Sequence, residues 1–388
     1  MAHLADGRGG ISTVSASDLS RRSFSRILLI KPSSLGDIVH ALPVLNGLRK
    51  RYPSARIDFL VAQPFAPLLE DHPQIDGLIR FDRKRFGRFG RDAKVARELW
   101  RFLRDLRDRR YDLVVDLQGL FRSGFFARAT AAPVRIGPRD AREGARWFYT
   151  HRFAPRADET HVVDQCYAVA RMLGFEDVPV TFVLPVPAEA RQTVRRRLAE
   201  EGLGGEVPYA VLAPGARWET KRWPAERFAE TAERLTTDAG LRCVVVGSEG
   251  ERERCERVAS AAGAGVSNWA GRTSLMELTA LIEGATVVVA HDSAVVHLAA
   301  ALRRPVVCIV GPTDPRRTGP YGQLDRCVRL DLPCSPCFFR RLSRCPHDHR
   351  CMRELGVEGV ARLAVRSAES GPHASDRPAR PASLRPMR

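Results

Sequence analysis

The stretch Arg26-Ile-Leu-Leu-Ile-Lys-Pro-Ser-Ser-Leu-Gly-Asp37 decides how the first half of the chain is interpreted. Its apolar run at 26–31 is typical of a strand buried within a parallel sheet. A short turn follows, and apolar residues then recur at helical spacing from Ile38 to Leu48. The stretch therefore predicts a strand, a turn and a helix, which is the first unit of a sheet covered by helices.

The alternation of strands and helices continues to about residue 185. Apolar runs predict strands at 57–61, 78–81, 112–117 and 134–137. Helical periodicity is found at 38–50, at 92–109, after Gly119 and near 161–173. Because strands that alternate with helices form parallel sheets, we expect a first domain at 26–185.

A second series of the same kind follows a charged segment at 185–208, which prolines and glycines bracket and which is predicted to be a linker. Strands are predicted at 209–213, 242–246, 286–290 and 305–310, with helices at 225–238, 252–262, 274–283 and 294–301. The fold expected is α/β, with two Rossmann-like, doubly wound domains that face a cleft, the second at 206–366. The polar leader 1–25 and the basic tail 367–388 are expected to be disordered. Ligands of such sheets bind at the carboxyl ends of strands, so the turns there are the candidate sites of chemistry.

Composition limits the classes of partner and the compartment. The chain has 62 Lys and Arg residues against 45 Asp and Glu, a formal net charge of +17, which attracts phosphorylated ligands, anionic membranes or nucleic acid. Aromatic residues make up only 7% and no nucleic-acid recognition motif is present, so a nucleic-acid partner is not expected. Five of the nine cysteines are scattered singly, which is typical of a reducing cytosol. No apolar run reaches the length of a bilayer and 1–25 has no apolar signal core, so we expect a cytoplasmic protein.

The first turn, Lys31–Asp37, carries two hydroxyls, a glycine and a carboxylate at the end of the first strand. It matches neither the dinucleotide-binding fingerprint nor the Walker A loop. Asp37 has two interpretations, either as the N-cap of the following helix or as a general base that takes a proton from an attacking hydroxyl.

The second domain opens with a strand, a glycine turn and a cluster of cations. Gly215, Arg217 and Lys221 outline a phosphate site, in which Lys221 neutralises a diphosphate and Arg217 binds an oxygen. The alternative is a solvated basic loop whose Trp223-Pro224 pair only begins the next helix.

A buried strand that ends in His291-Asp292-Ser293-Ala294 and enters an alanine-rich helix is the sharpest feature of the sequence. The free backbone N–H groups at a helix start, together with the helix dipole, favour an anion. Asp292 either caps this helix or binds a sugar hydroxyl. His297, one turn into the helix, either faces the ligand or belongs to the core.

Four cysteines near the end of the second domain, within 334–351, form a C-x2-C-x7-C-x5-C pattern: Cys334, Cys337, Cys345 and Cys351. Such a set can hold a structural zinc ion, and an iron–sulfur cluster uses the same ligands. The alternative is a loop lined by reduced cysteines, and the nearby His347 and His349 leave the choice of ligands open.

Taken together, Lys-Pro-Ser-Ser-Leu-Gly-Asp at 31–37, the 213–223 segment, the Asp292–Ala301 run and Gly-Pro-Thr-Asp-Pro at 311–315 resemble glycosyltransferase family 9. The best-known members of that family are the ADP-heptose:lipopolysaccharide heptosyltransferases. The resemblance extends from about 26 to about 354. It implies a GT-B fold and inverting transfer of a heptose or related sugar from an ADP-sugar to a hydroxyl of the lipopolysaccharide core, without an essential metal or cofactor.

The resemblance also implies roles for individual residues. Asp37 matches the catalytic base, and Lys221 matches the lysine that binds the donor. The donor side also includes Gly215, Arg217, Asp292, Ser293, Ala294 and His297. The acceptor side includes Ser34, Gly36, Gln118 and Arg122. The expected partners are a nucleotide-sugar donor, a lipid-linked oligosaccharide acceptor and the anionic inner face of the plasma membrane.

Two alternatives of related chemistry stay open at this point. One is a glycosyltransferase of the same family that uses another nucleotide sugar and another cell-envelope acceptor. The other is a sugar-nucleotide epimerase on the same fold, which would need no acceptor. A relative that only binds sugar nucleotides is a third possibility, against which the presence of Asp37 argues.

Overall fold

The computed structural model describes residues 19–87, 92–203 and 207–369 and consists of two lobes, each built on a six-stranded parallel sheet. The strands of the first lobe are β1 (Arg26–Ile30), β2 (Arg56–Ala62), β3 (Gly77–Phe81), β4 (Leu113–Asp116), β5 (Val134–Pro138) and β6 (His151–Phe153). Those of the second are β7 (Tyr209–Ala213), β8 (Arg242–Val245), β9 (Val266–Asn268), β10 (Val287–His291), β11 (Val306–Ile309) and β12 (Cys327–Val328).

Both sheets have the same strand order. The first runs β3-β2-β1-β4-β5-β6. The second, read from its other edge, runs β9-β8-β7-β10-β11-β12. In each sheet the winding direction reverses between the first strand and the fourth. Such a reversal is the mark of a doubly wound sheet. The loops after β1, β4, β7 and β10 therefore lie at the two switch points, and ligands of such sheets bind there.

The helices of the first lobe are α1 (Leu35–Arg51), α2 (Arg83–Phe86), α3 (Ala93–Asp108), α4 (Phe121–Ala129), α5 (Val162–Tyr167) and α6 (Ala170–Leu173). Those that follow are α7 (Ala188–Glu200), α8 (Ala225–Ala239), α9 (Arg252–Ala262), α10 (Leu275–Gly284), α11 (Ala294–Ala301), α12 (Pro315–Thr318), α13 (Arg350–Arg353) and α14 (Val357–Glu369). Short 3-10 turns lie at Gln63–Leu68, Ala145–Phe148, Glu219–Lys221, Glu249–Glu251, Leu324–Arg326 and Leu342–Arg344.

The predicted strands and helices are confirmed, and the strands that prediction missed are the edge strands β6, β9 and β12. These three have two or three residues each, too few for an apolar run to stand out. The helix predicted near 161–173 is two helices, α5 and α6. The final helix α14 was not predicted individually, although it packs against α8, β10 and β11.

The segments predicted to be a leader, a linker and a tail each contain residues that belong to the folded lobes. Leu19 and Phe24 are buried, so they belong to the core of the first lobe rather than to a leader, while 1–18 lies outside the described residues. Within the predicted linker, α7 packs against α10, and Arg191 forms an ion pair with Glu283 at 2.6 Å. Residues 367–369 belong to α14, where Ser367 is buried, and the rest of the predicted tail at 370–388 lies outside the described residues.

The two lobes share a continuous apolar core because α1 of the first packs against α11 of the second. Leu42 and Val296 belong to the same apolar cluster. Two polar contacts add to this junction: the His161 ring nitrogen Nε2 lies 3.0 Å from the Gly319 carbonyl oxygen, and the Tyr321 hydroxyl donates to Asp164 at 2.7 Å. The cleft therefore lies beside a fixed contact between the starts of α1 and α11.

Candidate active site

Asp37 lies in the first turn of α1, at the carboxyl end of the central strand β1. The cap of this helix is Ser34, and Asp37 is its third residue, so the interpretation of Asp37 as the N-cap is wrong. Its Oδ2 accepts hydrogen bonds from the Ser34 backbone N–H at 2.8 Å and from the Ser34 hydroxyl at 2.7 Å. This reciprocal capping box fixes the direction of the carboxylate, while Oδ1 takes part in neither bond.

Gly36 brings the start of α1 against the second lobe. A Cβ atom at this position would lie 2.5 Å from Cδ2 of His297, a distance that real Cβ atoms do not reach. The absence of a side chain therefore allows α1 to approach α11 closely. As a result, Asp37 and His297 face the same region of the cleft from opposite lobes.

Asp292 is the centre of the polar network on the second lobe. It is buried after β10, and its Oδ2 accepts hydrogen bonds from Lys221 Nζ at 2.8 Å, Thr313 Oγ1 at 2.8 Å and Thr318 Oγ1 at 3.0 Å. Burial alone raises the pKa of Asp292, but the charge of Lys221 and the hydrogen bonds from Lys221 and Thr313 outweigh burial, so the pKa is lowered. Asp292 is therefore an ionised anchor for Lys221.

Lys221 is held at the start of α11 by two contacts with the same residue. Besides the carboxylate, its Nζ donates to the Asp292 backbone carbonyl at 2.9 Å. The ammonium also lies 4.6 Å from the centre of the Trp218 ring, and the guanidinium carbon of Arg340 lies 4.9 Å from the centre of the same ring. Two cations thus meet around one aromatic ring at the mouth of the second switch point.

The start of α11 has the features of an anion-binding helix terminus. Ser293 is the N-cap and Ala294 the first helical residue, and both are partly exposed. The Ser293 hydroxyl oxygen is buried and has no hydrogen-bond partner among the described residues. Because the first N–H groups of a helix have no partner within the helix, an anion placed here meets free donors and the positive end of the dipole.

His297 and His291 are both buried, and both are neutral at physiological pH. Burial lowers the pKa of His297 to about 4, although Asp292 opposes this effect, and its Nε2 lies 3.8 Å from Asp292 Oδ1. Burial lowers the pKa of His291 to about 3. The Nε2 of His291 accepts the Trp223 backbone N–H at 2.8 Å, so its proton is on Nδ1, 3.3 Å from the Gly215 carbonyl oxygen. His291 therefore fixes the turn at Gly215, which is predicted to bind phosphate.

The remaining predicted donor residue, Arg217, lies on the exposed turn that follows Gly215. Its side chain has no hydrogen bond or ion pair with the part of the chain that the structure describes. Arg217 is thus near the site in sequence, while the contacts that organise the site come from Lys221.

The turn that carries Gln118, which is predicted to lie on the acceptor side, is organised by a buried carboxylate at the end of β4. Asp116 accepts hydrogen bonds from the Gln118 N–H at 2.8 Å and from the Tyr149 hydroxyl at 2.6 Å. Gly119 turns the chain with φ of 66°, and Lys31 Nζ joins β1 to this turn through the Leu117 carbonyl at 2.7 Å. The turn that carries Gln118 is thus tied to Lys31, at the end of the strand that leads into the Ser34–Asp37 turn.

Arg122, which is also predicted to lie on the acceptor side, contacts a different part of the first lobe. It is exposed on α4, and its guanidinium carbon lies 5.5 Å from the centre of the Phe81 ring, at the end of β3. Burial of part of the side chain and the nearby charge of Arg83 lower its pKa. Arg122 therefore lies at the rim of the first lobe rather than in the Ser34–Asp37 turn.

Sequence reasoning missed several residues of the site. Thr318 contacts Asp292, Trp218 contacts Lys221, and His40 packs 4.3 Å from the ring of His297. Both ring nitrogens of His40 are buried without a hydrogen-bond partner among the described residues. Only Thr313, within Gly-Pro-Thr-Asp-Pro, carried a sequence signal. Trp218 and Thr318 contact Lys221 and Asp292 within the second lobe, whereas His40 reaches His297 through the packing of α1 on α11, which no local pattern encodes.

The four clustered cysteines line one cavity of about 230 Å³, together with Pro312, Phe339 and His347. All four are free thiols. Across 19–87, 92–203 and 207–369, no group of three or more His, Cys, Asp or Glu side chains has an arrangement able to hold a metal ion. The predicted structural zinc is therefore not supported, because the side chains surround a space without converging on one point. The reduced cysteine loop is the interpretation that fits this geometry.

Two doubly wound lobes, one presenting a helix-start anion site and the other a fixed carboxylate across the cleft, define a glycosyltransferase of the GT-B type. The chain belongs to glycosyltransferase family 9 (heptosyltransferase), whose sequence model matches residues 99–346. It is 34% identical to lipopolysaccharide heptosyltransferase 1 of Pseudomonas aeruginosa over 83% of this chain and 89% of that protein.

Two solved structures support the same placement. The structure of E. coli ADP-heptose lps heptosyltransferase II matches with a TM-score of 0.71 at 25% identity, covering 89% of this chain and 99% of that one. E. coli heptosyltransferase WaaC with ADP-2-deoxy-2-fluoro heptose matches with a TM-score of 0.66 at 27% identity, covering 87% and 98%. Among the described helices, none is both long and apolar enough to cross a membrane.

Proposed function

We propose that this protein transfers a heptose from ADP-heptose to a hydroxyl of the lipopolysaccharide core, with inversion at the anomeric carbon and without a metal ion. The observation that carries the proposal is the placement of Asp37 opposite the Lys221–Asp292–Ser293 group, across a contact fixed by Gly36 and His297. Relatives that are named for lipopolysaccharide, or that were solved with an ADP-heptose analogue, support the choice of donor and acceptor.

The donor side supplies positive charge where the leaving group develops negative charge. In our proposal the diphosphate lies at the start of α11, where Ser293 and Ala294 offer backbone N–H groups and Lys221 offers its ammonium. Preorganised donors of this kind stabilise a developing anion without reorganising during the reaction. Lys221 and the helix dipole thereby provide the electrostatic stabilisation that a divalent cation provides elsewhere.

The acceptor side supplies the base. The Ser34 hydrogen bonds on Oδ2 hold the Asp37 carboxylate in place and leave Oδ1 to take the proton of the acceptor hydroxyl. The oxygen then attacks the anomeric carbon from the face opposite the diphosphate, the bond from that carbon to the diphosphate breaks, and the configuration inverts. In this proposal Ser34, Gly36 and Gln118 shape the acceptor subsite and Arg122 contacts the acceptor at its rim.

The remaining donor residues have supporting roles in this proposal. Asp292 positions Lys221, Gly215 gives the nucleotide a close backbone approach, and the neutral His297 closes the site where the lobes meet. Arg217 lies on the exposed turn, where it is free to bind a phosphate oxygen when the donor is present.

We also propose that the protein works in the cytoplasm, in peripheral contact with the anionic inner face of the plasma membrane. The net charge of +17 supports attraction to anionic lipid, and the nine unpaired cysteines are consistent with a reducing compartment.

A reconstituted transfer assay tests the proposal. The purified protein is incubated with ADP-heptose, or with other ADP-, GDP- and UDP-sugars, and a core acceptor that lacks heptose. We expect ADP release, a product heavier by one heptose and an inverted anomeric linkage in the NMR spectrum, all unchanged by EDTA. Turnover of another nucleotide sugar in preference to ADP-heptose, or a retained linkage, would contradict the proposal.

A further inference from the structure

A cluster of aromatic side chains is exposed on the first lobe. Phe121, Phe125 and Trp147 have exposed fractions of 51%, 36% and 77%, and the half-buried Phe148, which follows Trp147 in the chain, contacts both phenylalanine rings. We call these four residues the aromatic face. The ring centres of Phe121 and Phe125 lie 6.3 Å apart with nearly parallel planes, and each ring meets Phe148 edge-on, at 5.4 and 6.3 Å.

The aromatic face is a built surface, because the helix that carries it is locked to the 3-10 turn beside it. A Cβ atom at Gly124 of α4 would lie 2.8 Å from the Phe148 ring, so the Ala145–Phe148 turn packs directly on the helix backbone. Three large aromatic side chains in contact with water carry an unfavourable hydration cost, and such clusters mark interaction sites. Trp and Phe side chains held at a surface in this way suit a partner that has a polar outer layer and an apolar interior.

Arginines surround the aromatic face. Between Phe121 and Trp147 the chain has six arginines against two acidic residues. Arg128, Arg142 and Arg146 are exposed, and none forms an ion pair with a carboxylate in the described ranges. The Arg146 guanidinium carbon lies 4.8 Å from the centre of the Trp147 ring, so one cation lies directly over the most exposed aromatic group. The partner of this surface is therefore anionic as well as partly apolar.

The aromatic face adjoins the acceptor side of the cleft. The Phe121 backbone N–H lies 3.3 Å from a carboxylate oxygen of Glu143, and the Arg142 backbone N–H donates to the carbonyl of Gly119 at 2.9 Å. Gly119 belongs to the turn that follows β4 and that carries Gln118. A surface that binds the aromatic face would therefore present molecules anchored in it to the opening of the proposed acceptor subsite.

We propose that the aromatic face binds the headgroup layer of an anionic phospholipid bilayer and so docks the first lobe on the membrane that holds the acceptor. This inference rests on the proposed transfer to a lipid-anchored acceptor. Trp147 and Phe121 enter the boundary between headgroups and acyl chains, and Arg128, Arg142 and Arg146 bind lipid phosphates. Arginine suits this role because its planar fork matches the oxygens of a phosphate.

Vesicle co-sedimentation of the full chain tests the proposal, with phosphatidylglycerol/phosphatidylethanolamine vesicles compared with phosphatidylcholine vesicles. Binding is expected on the anionic vesicles and should weaken as salt is raised. Trp147→Ser should weaken it about tenfold through lost apolar burial, and Arg128→Gln about fivefold through one lost charge. Matched controls on the second lobe are Phe338→Ser, which removes an aromatic group that is 43% exposed, and Arg257→Gln on α9; both should bind as the unsubstituted protein does.

The same variants separate docking from catalysis. With a water-soluble, deacylated acceptor, Trp147→Ser should turn over at the rate of the unsubstituted protein, whereas on acceptor in vesicles its rate should fall with its binding. Equal loss of vesicle binding in Trp147→Ser and Phe338→Ser would overturn the assignment to this face. A dimer in light scattering that Trp147→Ser converts to a monomer would also overturn it, because the face would then bind a second copy. Failure of the proposed function would appear differently, as absence of transfer to the soluble acceptor while vesicle binding persists.

Discussion

Acidification should destabilise the second lobe through histidines that are buried in the neutral form. The perturbation is a change from pH 7.5 to pH 5.0, compared between the unsubstituted protein and His297→Asn. Burial lowers the pKa of His297 from 6.5 to about 4 and that of His291 to about 3. Because both folded-state pKa values lie below the unfolded value, the unfolded chain binds more protons as pH falls from 6.5 towards the folded pKa.

The size of the effect follows from these pKa values. At pH 5.0 an unfolded histidine is almost fully protonated, while His297 and His291 remain mostly neutral in the folded protein. Each residue therefore loses about 2 kcal/mol of its contribution to the free energy of unfolding, or roughly 4 kcal/mol for the pair. This contribution is complete above pH 6.5 and declines below it.

Urea unfolding monitored by tryptophan fluorescence measures the change, since the second lobe contains the fully buried Trp223 and Trp269. His297→Asn should lose about 2 kcal/mol less than the unsubstituted protein between the two pH values. The control His347→Asn, at an exposed position, should follow the unsubstituted protein. Parallel pH profiles for His297→Asn and the unsubstituted protein would refute the reasoning.

Three further outcomes follow from the site. Gly36→Ala should lower kcat/KM at least tenfold and destabilise the protein by about 1–3 kcal/mol, because its Cβ would meet His297. Gly250→Ala, which has open space around it, should leave both quantities unchanged. An unimpaired Gly36→Ala enzyme would contradict the close approach of the lobes. Lys221→Ala should weaken ADP binding at least tenfold in calorimetry through loss of a charge-assisted contact. Lys84→Ala, at an exposed position, should bind ADP as the unsubstituted protein does. Equal ADP affinities for Lys221→Ala and the unsubstituted protein would remove Lys221 from the donor site. EDTA should change neither the melting temperature nor the rate, because Lys221 and the start of α11 supply the positive charge; loss of activity that zinc restores would contradict metal-independent transfer.

The sequence was sufficient for the architecture because the central strands are short apolar runs bounded by turns. The run at 26–30 and the run at 287–291 are each buried throughout or nearly so, and each leads through a short turn into a helix. The edge strands β6, β9 and β12 lack this signal because each has only two or three residues. The core of the fold could therefore be predicted, while its edges depended on the assembled sheet.

The candidate site was only partly predictable. Asp37, Lys221 and Asp292 follow strands and could be found from position alone, although Asp37 proved to be the third helical residue and not the cap. Thr318 reaches Asp292 from α12 of the same lobe, and His40 reaches His297 only because α1 packs against α11. The cysteine pattern left a zinc site and a loop of reduced cysteines open for a related reason, because spacing along a chain does not fix where thiols point.

Single-turnover transfer by Asp37→Asn tests the central claim most directly. Asparagine keeps the shape and can still accept the Ser34 hydrogen bonds, but it cannot take a proton from the acceptor hydroxyl. With ADP-heptose and core acceptor at saturating concentrations, we expect the rate of transfer to fall by about 10²–10⁴, while ADP binding in calorimetry stays within a factor of about two. Asp82→Asn, which removes a carboxylate that caps α2, should transfer at the unsubstituted rate. Transfer by Asp37→Asn at the unsubstituted rate would contradict the account.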